Sequence, residues 1–150
     1  MTAEELSKRL CTETHIENGT FSERHYPFSG AGRAASGSIY YYVAPGERTQ
    51  FHRIDCDEYW IYNLGTPLEL WVVSQDGTVS VRKLGVEPDC TPFVYLPQGV
   101  IFASRHPHGA GGDGTFVTCI TVPRFRYEGF SMFSESEMRR NYPATAEFFE

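Results

Sequence analysis

The chain has 150 residues and a formal net charge of −6, with 41% hydrophobic and 15% aromatic residues. That length makes one domain the expectation, and so apolar a composition excludes a disordered chain. The acidic balance argues against nucleic acid and anionic membrane surfaces as partners, and no apolar run reaches the ~18–20 residues of a spanning helix.

Residues 1–6 lack the charged and then apolar pattern of a secretory leader, and Cys11, Cys56, Cys90 and Cys119 are scattered with no C-x-x-C pair. Reduced thiols in a cytoplasmic protein are expected. Thr2-Ala3-Glu4-Glu5 spells a capping box and predicts a short helix to about Leu10. Residues 11–37, punctuated by glycine and Pro27, read as an irregular arm. Strands are predicted at 38–43, 58–62, 68–74, 78–84, 91–96, 101–104 and 116–122, and Asp76-Gly77 is a hairpin turn. Ser134-Glu135-Ser136-Glu137 is a second capping box, opening a helix that stops at Tyr142-Pro143. Short strands with turn signals between them predict an all-β sandwich or small barrel. The chain divides into a helix and arm (1–37), a β core (38–123) and a C-terminal segment (124–150).

Gly46, His52, Glu58 and Gly65 keep the spacing G-x5-H-x-H-x3-E-x6-G, with Ile54 at the second His position. Pro97-Gln98-Gly99-Val100-Ile101 resembles P-x-G-x2-H, with Phe102 at the His position. On these motifs the chain resembles the cupin superfamily. More narrowly, it is similar to a family of small single-domain cupins of largely unassigned function. Its opening H-P-E-G-G-x-[FY]-x-E pattern is kept by His15, Glu17, Gly19, Phe21 and Glu23, with departures at Ile16 and Asn18. Phe51-His52-Arg53, Asp57-Glu58, Trp60, Pro67-Leu68, Leu70, Cys119, Val122-Pro123, Phe125, Tyr127 and Phe130 extend the match over most of the chain. The resemblance implies a double-stranded β-helix, or jelly-roll barrel, with short N- and C-terminal helices. It also implies a homodimer that exchanges N-terminal strands.

Cupins usually hold a divalent metal with two or three His and one Glu. With Ile54 and Phe102 in two of the four positions, His52 and Glu58 alone make a poor metal site, and neither a metal nor another cofactor is expected. His106 and His108, beside the glycine-rich stretch 109–114, read as solvated loop imidazoles; that stretch lacks the G-K-[ST] of a phosphate loop. Related chains often have His at the position of Ile61 and Gln at that of Phe102, so this pocket leans toward apolar, flat substrates.

Period-2 alternation puts His52 with Ile54 on one strand face, and Glu58, Trp60 and Tyr62 on one face of the next strand. Inward polar groups of this kind suggest a pocket, because burying them in an ordinary core is costly. His52 and Glu58 are the expected catalytic pair, with Glu58 raised in pKa by desolvation and acting as the acid or as the orienter of His52; the alternative is a purely structural hydrogen bond between them. Tyr40, Tyr42, Trp60, Tyr62 and Phe102 are candidate substrate-stacking walls, each with an alternative as plain core. Arg53 has the fork to hold a planar anion, although alternation turns it toward Asp55 or Asp57 instead. Glu23 and His25 are placed where an N-terminal arm would reach the pocket. The function expected is metal-independent proton transfer that isomerises, epimerises or cyclises a small aromatic or polyketide-like molecule. The alternatives are a metal-dependent cupin oxygenase and a non-catalytic small-molecule binder.

Overall fold

The computed structural model describes residues 1–11, 13–25 and 32–150. Helix α1 (Ala3–Leu10) opens on the expected box: Glu5 N–H donates to Thr2 Oγ1 at 3.0 Å and Thr2 N–H donates to the Glu5 carboxylate at 2.8 Å. The stretch read as irregular contains two strands, β1 (Glu13–Thr14) and β2 (Thr20–His25). They form a hairpin, and β2 pairs with β3 (Gly37–Val43). Then follow β4 (His52–Arg53), β5 (Asp57–Gly65), β6 (Leu68–Val73) and β7 (Val79–Leu84). The set is completed by β8 (Phe93–Leu96), β9 (Ile101–Arg105), β10 (Thr115–Val122), β11 (Ser131–Met132) and helix α2 (Glu135–Asn141).

One sheet has the order β1-β2-β3-β10-β5-β8 and the other β11-β4-β9-β6-β7, with every named strand pair antiparallel. Both contribute to a shared interior: Tyr41, Trp60 and Val117 from the first sheet, Leu68, Leu70, Val72 and Phe102 from the second. This is the jelly-roll barrel expected of a cupin. Burying apolar side chains between two sheets is what drives the closure.

Both outer faces are also partly covered. The C-terminal segment packs Met138 and Phe148 onto Phe51, Trp71 and Ile101, behind the second sheet. Helix α1 packs onto Tyr42, Phe116 and Leu64 behind the first. Strand β6 is therefore apolar on both faces, Leu70 and Val72 inward and Trp71 and Val73 outward, which blurs the alternation a half-exposed strand would show.

Candidate functional site

The interior is filled at one end and open at the other, where a cavity of about 380 Å³ lies between β2, β3, β4 and β10. His52, Glu58, Glu17, His15, Tyr41 and Cys119 line its floor, and Phe21, Ile39, Ile54, Phe125 and Phe130 its walls. The volume falls in the range of small-molecule pockets.

His52 enters at the first residue of β4, paired across the sheet with Phe102. Its ring lies between Phe102 (centroids 4.2 Å apart) and Phe130 (5.4 Å, stacked), and the residue is 3% exposed. Nδ1 is 2.8 Å from the Gln50 carbonyl. A carbonyl only accepts, so Nδ1 is the protonated nitrogen and Nε2 is the atom left for a ligand.

The partner of His52 is a residue the sequence reading did not select. Glu17 Oε2 lies 2.7 Å from His52 Nδ1, and Glu17 is 5% exposed. The Nδ1–H is aimed at the Gln50 carbonyl, so Oε2 keeps no aligned donor despite its proximity to the imidazole. Glu17 reaches this depth on a turn clamped from several sides. Gln50 N–H donates to Glu17 O at 3.0 Å, Asn18 Nδ2 to Arg48 O at 2.9 Å, and Gly19 N–H to Glu47 Oε1 at 3.1 Å. The Tyr41 hydroxyl donates to the Asn18 carbonyl. Asn18 and Gly19 adopt φ of 82° and 80°, the left-handed region, and a Cβ on Gly19 would sit 2.6 Å from the Tyr41 hydroxyl. The glycine is required by both backbone and space. Glu17 and Gly19 both stand in the H-P-E-G-G-x-[FY]-x-E pattern, so a signal for this residue was present in the sequence.

His15 stands on the other side of Glu17, its Nδ1 3.6 Å from Oε1. That Nδ1 accepts from the Glu17 N–H at 3.2 Å, which leaves the proton of a neutral His15 on Nε2. Burial pushes the His15 pKa down against the pull of Glu17. For His52 burial acts in the same direction, but the Glu17 carboxylate outweighs it and the net shift is upward. Glu17 mirrors this: burial would raise it, yet the His52 imidazole holds it below the usual carboxylate range.

Glu58, 8% exposed, has the opposite fate. Burial, reinforced by the negative charge of Glu17, pushes its carboxyl up to about 8, while His52, the Trp60 indole and the Cys119 thiol only partly offset the rise. At neutral pH the floor therefore holds a protonated carboxylic acid near a carboxylate–imidazole pair. Cys119 itself is pushed far upward by burial and remains a thiol.

Around the mouth the arginines are paired with carboxylates. Arg124 contacts Glu23 at 2.6 Å. Asp55, held down at about 2, takes Arg33 at 2.7 Å and Arg126 at 2.8 Å.

The structure brings His52 and Glu58 into one cavity and places Glu23 on its rim. The backbone of His25 closes β2, and its side chain lies outside what is described. The other candidates sit elsewhere. Trp60 and Phe102 are buried in the core, and Tyr62 packs on that core with its hydroxyl donating to Gly65 O. Tyr40 and Tyr42 face outward and pack in the α1 cluster, while Tyr41 between them is the inward residue. Arg53 points away, with Nε donating to Gly99 O at 3.1 Å and its guanidinium over the Phe133 ring. Asp55 and Asp57 have other partners: the arginines for Asp55, and the Tyr95 hydroxyl and Gln98 N–H for Asp57.

A jelly-roll barrel with a ligand-sized cavity and acid–base groups at its floor defines a cupin. The match to the Cupin superfamily family DUF985 (Cupin_5) runs over residues 4–133, and the chain belongs to that family. Among solved structures it is similar to protein SO0799 from Shewanella oneidensis (28% identity, TM-score 0.86, 98% of this chain and 94% of that one). It is also similar to a hypothetical protein from Leishmania major (27% identity, TM-score 0.83, 96% and 94%). An oxalate decarboxylase from Bacillus subtilis shares the fold alone (12% identity, TM-score 0.62, 93% and 35%). No curated protein matches the chain. Among the described residues, no helix is long and apolar enough to cross a membrane.

The superfamily's metal does not fit this donor set. Among the described residues no three His, Cys, Asp or Glu side chains are disposed to hold an ion. Phe102 lies against His52 where a further imidazole would stand, Ile54 offers no donor, and His15 spends its Nδ1 lone pair on the Glu17 N–H, which leaves His52 Nε2 as the one free imidazole lone pair on the floor. A transition metal requires three or four deprotonated donors around one point.

Proposed function

We propose that the protein is an enzyme that moves protons on a small carbonyl-containing metabolite, isomerising, epimerising or cyclising it without a metal. One observation carries this reading: a neutral Glu58 carboxyl and a Glu17–His52 pair share the floor of one apolar-walled cavity. His52 Nε2, with its tautomer set by Gln50, takes a proton from the carbon next to the carbonyl. Glu17 stabilises the imidazolium that forms, the role of an orienting carboxylate beside a catalytic histidine. Glu58 donates its proton to the carbonyl oxygen, so the product of this half is a neutral enol. In the second half Glu58 recovers the enol proton, and His52 returns the other to a different carbon or face. General acid–base pairs of this kind contribute roughly 10²–10⁴-fold each.

The test is proton NMR of enolisable cyclic ketones in D2O with the protein. Exchange at the carbon next to the carbonyl, lost in His52→Gln and in Glu58→Gln, supports the proposal. Exchange that survives both substitutions removes it. Tight binding with no exchange on any candidate would make the chain a small-molecule binder. A cytoplasmic setting goes with this reading, since its four cysteines are free thiols. A homodimer is proposed as well, supported by the exposed Phe93 and Tyr95 on edge strand β8 beside Tyr59. Sedimentation equilibrium should find twice the chain mass, and Phe93→Lys should weaken the association.

A further inference from the structure

Resting on the proton-transfer reading, we infer that the cavity selects an uncharged, flat hydroxycarbonyl compound and excludes carboxylates and phosphates. The inference follows from how charge is distributed from the floor to the mouth. On the floor Glu17 carries a negative charge, His52 in its proton-accepting form is neutral, and Glu58, His15, Tyr41 and Cys119 are uncharged. No fixed cation is left there for an anion.

At the mouth Arg124 and Arg126 line the opening with Glu13, Glu23 and Glu128, and behind them Asp55 joins Arg126 to Arg33. Arg124 is held by Glu23, and Asp55 binds the other two through paired contacts of 2.7–3.1 Å. Residues 26–31 contain no Lys, Arg, Asp or Glu, so they leave this balance unchanged. An entering carboxylate would approach a mouth of slight negative excess and then lie near Glu17 with no cation of its own. At an effective dielectric of about 20, an unshielded like charge some 8 Å away lowers affinity by more than tenfold.

The polar groups set the remaining chemistry. Glu58 presents an O–H and asks for an acceptor, which a carbonyl oxygen supplies. Glu17 Oε2 is buried without an aligned donor and asks for an O–H. Such an orphan is costly unless a ligand or ordered water completes it. Phe21, Ile39, Ile54, Phe125 and Phe130 line the same cavity with apolar surface, which favours a flat ring.

Four probes of one skeleton separate the components: 5-hydroxy-1-tetralone, 1-tetralone, 1-aminotetralin as the cation, and 1,2,3,4-tetrahydronaphthalene-1-carboxylate as the anion. Binding is read on the wild-type protein at pH 7 by nitrogen–proton NMR, using signals of His52, Trp60 and Cys119. The hydroxyketone should bind about fivefold tighter than 1-tetralone, and both at least tenfold tighter than the carboxylate. Charge at the mouth is checked with the double variant Glu23→Gln, Glu128→Gln, which should narrow the gap between ketone and carboxylate several-fold. A carboxylate or ammonium probe that binds as tightly as the ketones overturns the inference, as does a failure of the ketones to move the cavity signals. Equal affinity of the two ketones overturns the hydroxyl requirement. These readouts need no turnover, so they stand apart from deuterium exchange on 1-tetralone, whose failure would remove the proton-transfer reading instead.

Discussion

Glu58→Gln should gain stability relative to the wild type as the pH rises. Glu58 is a carboxyl whose pKa goes from 4.5 in a free side chain to about 8 in the fold. The folded state therefore binds more protons than the unfolded state between these values, and stability falls with rising pH across that window. The sign is opposite to that of a salt-bridged acid, whose stabilisation is lost on acidification. At 1.36 kcal/mol per unit, the penalty borne by the wild type grows by roughly 4 kcal/mol between pH 5 and pH 9. Glutamine preserves the shape and cannot ionise, so its packing cost is the same at both pH values and cancels in the comparison. Urea denaturation of both proteins at pH 5, 7 and 9 measures the difference directly. The variant's relative stability should climb steeply from pH 5 to 8 and level off above about pH 9. A flat difference across this range would mean that Glu58 ionises in the fold at an ordinary carboxyl pKa, and its role as proton donor would fall with it.

Glu17→Gln removes the carboxylate that overrides burial at His52, so the His52 pKa should move down, read by long-range nitrogen–proton NMR of the imidazole. The stabilising part of a raised His pKa is fully present below the unfolded value and disappears as pH rises through the folded one, so the gap in melting temperature between wild type and this variant should narrow in that direction; an unmoved pKa would sink the pairing. Gly19→Ala forces a Cβ into the left-handed region and against Tyr41, at a cost of about 3 kcal/mol; calorimetry should show a melting temperature lower by roughly 6–12 °C, and a loss under 2 °C would show the turn to be forgiving. Ile54→His with Phe102→His supplies two imidazoles beside His52. Titration calorimetry with Ni2+ should then find at least tenfold tighter binding than in wild type, whereas equal binding would mean that the native donors already converge.

Much of the fold was legible because local chemistry states it. Thr2 with Glu5, and Ser134 with Glu137, are capping boxes in the sequence and form them in the structure. Asp76-Gly77 turns between β6 and β7, with Gly77 at φ of 86°. The arm was less legible. β2 contains Glu23, Arg24 and His25, and its polar face suggests a loop until β3 supplies its hydrogen bonds. In Tyr40-Tyr41-Tyr42 three identical side chains carry no phase, and α1 buries the outer face, so alternation could not say that Tyr41 is the one inside.

The chain's own order of residues settled the barrel and put His52 and Glu58 on inward positions, because strand alternation and turn chemistry act over a few neighbouring residues. Which carboxylate pairs with His52 was decided only in three dimensions. Glu17 meets His52 through a turn clamped by Tyr41, Glu47, Arg48 and Gln50, and Glu58 keeps its proton because of what surrounds it. Burial and charge proximity are properties of the space around a group, and residues distant along the chain create that space.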